Sequence, residues 1–246
     1  MKGLLDEFIA GQSGTYGIAF INLVTGETFG INDTEEYIAA STSKLVINLL
    51  LFERIAKGAI DPQTILTYEE VDFEPGAGII QREEYGTEYT VLETARLSII
   101  HSDNCAINMI IRLLGNNQVV QYMLDLGGSI NYRGYRSSPR DMAIYTRHLY
   151  HFYLEEPEVA GILMKYLEST PFNDRIRKWL PEDVRVAHKI GNFDRTANDV
   201  GIVFASEPYV ISMMSDDVDF LEGCKVLAQM SKMVYDFMEK DMALAQ

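Results

Sequence analysis

Strand-like segments stand at both ends of this chain and helix-like segments fill its middle, and that distribution limits the folds open to it. Near the N-terminus TYGIAFINL (residues 15–23), the turn VTGE and TFGIN read as an antiparallel hairpin broken at glycine. From about residue 41 the apolar residues recur at helical spacing, in SKLVINLLLFERIAKG, TVLETARLSIIHSDNCAINMIIRLLG, NQVVQYMLDLGG, SPRDMAIYTRHLYHFYL and EVAGILMKYLEST. Ser138-Pro139-Arg140-Asp141 is a helix start, with serine as cap, proline first and an acid at the third helical position. After Trp179-Leu180-Pro181 the strand pattern returns in VRVAHKIG, DVGIVFAS and PYVISMMS, followed by an amphipathic helix from Leu221 to about Ala243. One antiparallel sheet must then be assembled from the two termini, with a helical lobe inserted between them. The expected fold is α/β of the α+β kind: a single domain over 1–246, with a sheet lobe from 1–38 and 182–246 that carries the terminal helices, and a helical lobe over 39–181. No internal repeat, low-complexity stretch or linker divides it.

Composition narrows the functional classes. With 47% hydrophobic residues in 246, the chain can bury a substantial core. A net charge of -15 argues against nucleic acid and against anionic membranes, both of which call for clustered lysine and arginine. Apolar runs such as LVINLLLF fall short of the about twenty residues that span a bilayer. The opening MKGLLDEFIAGQSG is interrupted by Asp6 and Glu7 and does not make a signal peptide, so the chain as it stands is expected in the cytoplasm, or exported if a leader has been trimmed. Cys105 and Cys224 are far apart in helical segments and are expected as free buried thiols. His148 and His151 sit at helical spacing with no third ligand type nearby, which argues for packing rather than a metal site. No metal or cofactor is expected. The amphipathic helices read as core packing rather than interfaces.

Three short signatures carry the chemistry. Ser41 is the chain's only serine with a lysine three positions on, in Ser41-Thr42-Ser43-Lys44. Alone, that pair is also what an ordinary helix start looks like. Further on come Ser102-Asp103-Asn104 in a helical region and Lys189-Ile190-Gly191 on a strand. Residues three apart on a helix share a face, so Lys44 can hold its nitrogen beside the Ser41 hydroxyl. A serine hydroxyl is a poor nucleophile until a neighbouring base takes its proton. Lys44 serves as that base if it is partly buried and near a second cation, because both favour the neutral amine; Lys189 is the candidate cation.

The ordered set SxxK, SDN, K-x-G resembles that of the class A β-lactamases and penicillin-binding proteins. The flanking AASTSKL, EPGAGII (74–80), SDNCAINMIIRLLG (102–115), FNDRI (172–176), VAHKIGN and NDVGIVF extend the likeness over almost the whole chain. The resemblance implies a serine acyl hydrolase of β-lactamase/transpeptidase-like fold that acts on a β-lactam or a related amide or ester through an acyl-Ser41 intermediate. It implies that Ser102 passes the proton to the leaving nitrogen, that Asn104 hydrogen-bonds the substrate amide and helps place Lys44, and that Lys189 keeps the pocket electropositive. Gly191 and Asn192 would lie against the substrate, and the backbone N–H groups of Ser41 and Asn192 would form the oxyanion hole. Asp103 is expected to tie the SDN turn.

Two positions depart from the family pattern. Class A β-lactamases carry, between the equivalents of Asn104 and Ser138, a loop glutamate that activates the water releasing the acyl group. Here that interval is shorter, has no glutamate, and has Asp125 as its one acid. Ile190 stands where the family has threonine or serine, and isoleucine cannot donate a hydrogen bond to a substrate carboxylate. Both departures keep the acylating half of the site and favour slow deacylation, as in a penicillin-binding protein that acylates without efficient turnover. A peptidase or esterase on the same scaffold, and a ligand-binding protein, are the alternatives.

Overall fold

The computed structural model describes residues 1–129 and 136–244. In chain order the elements are α1 (Lys2–Ala10), β1 (Thr15–Asn22), β2 (Thr28–Ile31), β3 (Tyr37–Ile38), α2 (Lys44–Ala56), β4 (Ile65–Thr67), β5 (Glu88–Thr90), α3 (Val91–Ile100), α4 (Asn104–Leu114), α5 (Asn116–Asp125), β6 (Arg136–Ser137), α6 (Pro139–Glu155), α7 (Pro157–Glu168), β7 (Arg185–Phe193), β8 (Thr196–Phe204), β9 (Tyr209–Asp216) and α8 (Phe220–Leu244). The main sheet has five strands in the order β2-β1-β9-β8-β7, every neighbouring pair antiparallel. The N-terminal hairpin thus joins the C-terminal strands through β1 and β9, as the terminal strand pattern requires. Among the described residues no helix is long and apolar enough to cross a membrane.

Alternation along each strand gives the sheet a core on both faces. On β1, Ala19 and Ile21 face the core of the helical lobe, with Leu45, Leu49 and Phe52 of α2 and Leu97 of α3. Tyr16, Ile18 and Phe20 face the second core, built with Leu5 of α1 and Leu227, Met230 and Val234 of α8. Burying both faces explains why nearly every residue of β8 and β9 is buried, Asn198, Asp199, Ser212 and Ser215 included.

Two local details differ from the sequence expectation, and both concern the motifs. The helical pattern from 90 to 115 is two helices, not one. Thr90 caps α3 by accepting from Glu93 N (3.1 Å), and Asp103 caps α4 by accepting from Ala106 N (2.9 Å). Between them Ser102 takes φ +53°, a left-handed conformation that a non-glycine residue adopts only when its surroundings hold it there. Ser41, likewise, is not in the first turn of an α-helix but in a 3-10 turn, Ala40–Ser43, that leads into α2. Cys105 and Cys224 are free and buried, as expected.

Candidate active site

The 3-10 turn bearing Ser41 lies against the edge strand β7 and is tied to the sheet. Asn198 of β8 donates from Nδ2 to the carbonyls of Ile38 (2.7 Å) and Ala39 (3.4 Å), and its Oδ1 accepts from Ser215 N of β9 (2.9 Å). Thr42 Oγ1 donates to Ala39 O at 2.6 Å and closes the turn. Gly191 makes the close approach possible: a Cβ there would lie 2.7 Å from Ala39 O, 3.1 Å from Thr42 Cγ2 and 3.2 Å from Ala40 Cβ. In a 3-10 turn residues three apart eclipse, which sets Ser41 and Lys44 on the same side.

Lys44 is nevertheless directed at the SDN turn rather than at Ser41. Its Nζ donates to Ser102 O (2.5 Å), to Asn104 Oδ1 (2.7 Å) and, at 3.4 Å, to Ser102 Oγ. The Ser41 hydroxyl has no hydrogen-bond partner among the described residues and lines the cavity. Lys189, from β7, donates to the same Ser102 Oγ at 3.0 Å and to Ile190 O at 3.1 Å. Two amines therefore converge on one serine hydroxyl in a buried space. Burial pushes the Lys44 ammonium down to about 8, with Asp103 and Glu74 resisting. Lys189 is pushed well below the usual lysine range, first by burial and then by the like charge of Lys44, with Asp199 resisting and Arg175 adding to the push. Burial thus disfavours the charged form of both amines.

Asp103 does tie the turn. It is fully buried, and besides capping α4 it accepts at Oδ2 from Ile79 N (2.6 Å) and Ile80 N (2.9 Å). These bonds hold the strap 72–80 against the start of α4. Asn104 adds a bond from Nδ2 to Pro75 O at 3.2 Å.

A cavity of about 280 Å³ opens where these parts meet, lined by Ser41, Lys44, Asn104 and Asn192, by Glu74 and Asn108, and by the apolar side chains of Ile38, Ile47, Ile107, Ile111 and Phe193. Asn192 is held from beneath by Arg175, a fully buried guanidinium whose Nη2 donates to Asn192 Oδ1 at 2.6 Å. The same guanidinium donates to Asn198 O (2.8 Å) and to Cys224 Sγ (3.1 Å). Ile190 does not line the cavity: it is buried on the face of β7 opposite Lys189, so its isoleucine changes the backing of the site rather than its wall. Sequence reasoning gave no role to Arg175, Asn198 or Glu74, although FNDRI, NDVGIVF and EPGAGII contain them. Residues 130–135, part of the interval in which the deacylating glutamate is missing, lie outside the described residues. His148 Nε2 pairs with Glu53 Oε1 at 2.6 Å, and among the described residues no group of three or more metal-ligating side chains gathers.

The model of the beta-lactamase enzyme family matches residues 2–238. This chain belongs to that family. It is a serine hydrolase of β-lactamase type, with the family's mixed α/β fold. The extended-spectrum β-lactamase PER-1 of Pseudomonas aeruginosa is 22% identical over 267 residues, spanning 96% of this chain and 87% of the relative. β-Lactamase SME-1 of Serratia marcescens is 25% identical over 235 residues, spanning 87% and 78%. Among solved structures, PBP-A superposes with a TM-score of 0.90 at 28% identity, over 97% of this chain and 96% of the other. A PBP-A point mutant, determined as an acyl-enzyme complex with penicillin G, superposes with a TM-score of 0.89 at the same identity, over 98% and 97%.

Proposed function

We propose that this member of the beta-lactamase family opens a β-lactam, or a related amide or ester, by forming an acyl ester on Ser41, and that release of the acyl group is its slow step. The observation that carries the reading is the convergence of Lys44 and Lys189 on Ser102 Oγ, with Lys44 also lining, together with an unpartnered Ser41 hydroxyl, one cavity. Neutral Lys44 takes the Ser41 proton as Oγ attacks the carbonyl carbon. The backbone N–H groups of Ser41 and Asn192 receive the oxyanion. As the C–N bond breaks, the proton passes through Ser102 Oγ to the leaving nitrogen, and Lys44 and Lys189 hold that hydroxyl between them. Asn104 orients Lys44 and meets the substrate amide, while Gly191 lets the strand and the nucleophile turn close on the substrate. Isoleucines and Phe193 along the cavity suit an apolar acyl side chain.

Slow release is supported by the absence of a glutamate between Asn104 and Ser138. Intact-protein mass spectrometry with penicillin G, alongside steady-state nitrocefin hydrolysis, tests the reading. The expected result is an adduct that persists on the wild type, is absent in Ser41→Ala, and accompanies slow turnover. Fast steady hydrolysis abolished by Ser41→Ala refutes slow release, and neither adduct nor turnover refutes β-lactam recognition.

A further inference from the structure

We infer that Glu74 is the general base that activates the water releasing the acyl group from Ser41. The inference rests on the acyl-Ser41 reading and names the group that completes it. Glu74 is the only carboxylate that lines the cavity among the described residues, and it shares that wall with Ser41, Lys44 and Asn104. Its backbone is fixed: Glu74 O accepts from Cys105 Sγ (3.6 Å), the adjacent Pro75 O accepts from Asn104, and Asp72 O accepts from Asn108 Nδ2 (3.3 Å). Its side chain is aimed as well. Oε2 accepts from Asn108 Nδ2 at 3.0 Å, one helical turn beyond Asn104 on α4. The second carboxylate oxygen has no hydrogen-bond partner among the described residues and is free to accept from a water. Its influence on Lys44, which it helps keep protonated, places the carboxylate within electrostatic reach of the reacting groups.

The rival acid is elsewhere. Asp125, the one acid of the interval that lacks the family glutamate, ends α5, accepts from Gln121 Nε2 (2.8 Å) and lines a separate cavity with Arg54 and Gln118. Glu74 reaches the site instead from the strap on the other side of the SDN turn.

The step balances without any further reactant. Glu74 takes one proton from water as the water oxygen bonds to the ester carbonyl carbon. The tetrahedral intermediate then expels Ser41 Oγ, the carbon–Oγ bond breaks, and the proton returns through Lys44 to the serine hydroxyl. The product leaves as a carboxylic acid, which ionises in solution.

The test separates acylation from release. Wild type, Glu74→Gln and Glu74→Ala are loaded with penicillin G, freed of excess drug, and followed by intact mass for loss of the adduct, with melting temperature as the check on folding. Expected are an acylation rate within about threefold of wild type and an adduct lifetime at least about tenfold longer in both variants, in line with the usual worth of a general base. Added formate should shorten the lifetime in Glu74→Ala, where the side-chain space is open, and leave wild type unchanged; a purely structural role would not respond to it. Equal lifetimes in all three proteins, or losses of acylation and release in equal measure with no formate rescue, overturn the role of Glu74 and leave the acyl-Ser41 reading standing. Absence of any adduct on wild type overturns that reading, and the inference with it.

Discussion

Gly191→Ala puts the geometry of the nucleophile to a quantitative test. The new Cβ would sit 2.7 Å from Ala39 O, a backbone atom that no side-chain rotation can move aside. Restoring an ordinary contact of 3.4 Å requires the turn and β7 to part by about 0.7 Å. Asn198 opposes that movement, because its Nδ2 ties the Ile38 and Ala39 carbonyls to the sheet. Displacements of about 1 Å in a reacting group cost on the order of a hundredfold in rate, so acylation should fall roughly ten- to a hundredfold. The forced fit should also cost about 1–3 kcal/mol of stability. Stopped-flow acylation with a fluorescent penicillin gives the rate, and urea unfolding gives the stability. Acylation within threefold of wild type, in a protein that is destabilised as expected, would refute the claim that the turn-to-strand approach sets the position of Ser41.

Acylation should rise with pH, since the working form of Lys44 is the neutral amine: about fiftyfold between pH 6 and pH 8, flattening above about pH 9. A pH–rate profile that is flat over this range, or still climbing tenfold per unit beyond pH 9, contradicts the depressed lysine. Asp103→Ala removes a buried carboxylate that accepts from three backbone N–H groups, and should lower stability by about 2–4 kcal/mol in denaturant unfolding. Lys44→Met should abolish detectable acylation while leaving a folded protein by circular dichroism; an adduct formed at an undiminished rate would transfer the base role elsewhere.

The sequence made the large features readable because they rest on local signals. The hairpin 15–31, the cap at Ser138, and the strands of the C-terminal half all carry their own periodicity or turn chemistry. The break at Ser102 was hidden from the periodicity, since apolar residues continue at helical spacing on both sides of it, and the SDN turn tied by Asp103 was expected from the motif alone. The side chains Ser41, Lys44, Ser102, Asn104 and Lys189 were legible as an ordered set, and the resemblance gave Asn104 a part in placing Lys44, but the orientation of Lys44 away from Ser41 was not legible. It depends on acceptors 58 and 60 residues away, Ser102 and Asn104, that only the fold brings near. Arg175, Asn198 and Glu74 are of the same kind. Each is a polar residue in an unremarked loop or strand whose meaning comes from partners supplied by tertiary contact.

The joining of β1 to β9 also sets when the site can come into being. The strap and the SDN turn are close in sequence and can meet early, but Ser102 reaches Lys189 across 87 residues and Ile38 reaches Asn198 across 160. Such distant pairings close late and slowly. During synthesis, Ser41 must therefore wait without its strand-side wall until β7 and β8 have emerged. Penicillin reactivity in a refolding experiment should accordingly appear with the last kinetic phase, and serves as a covalent clock for completion of the sheet.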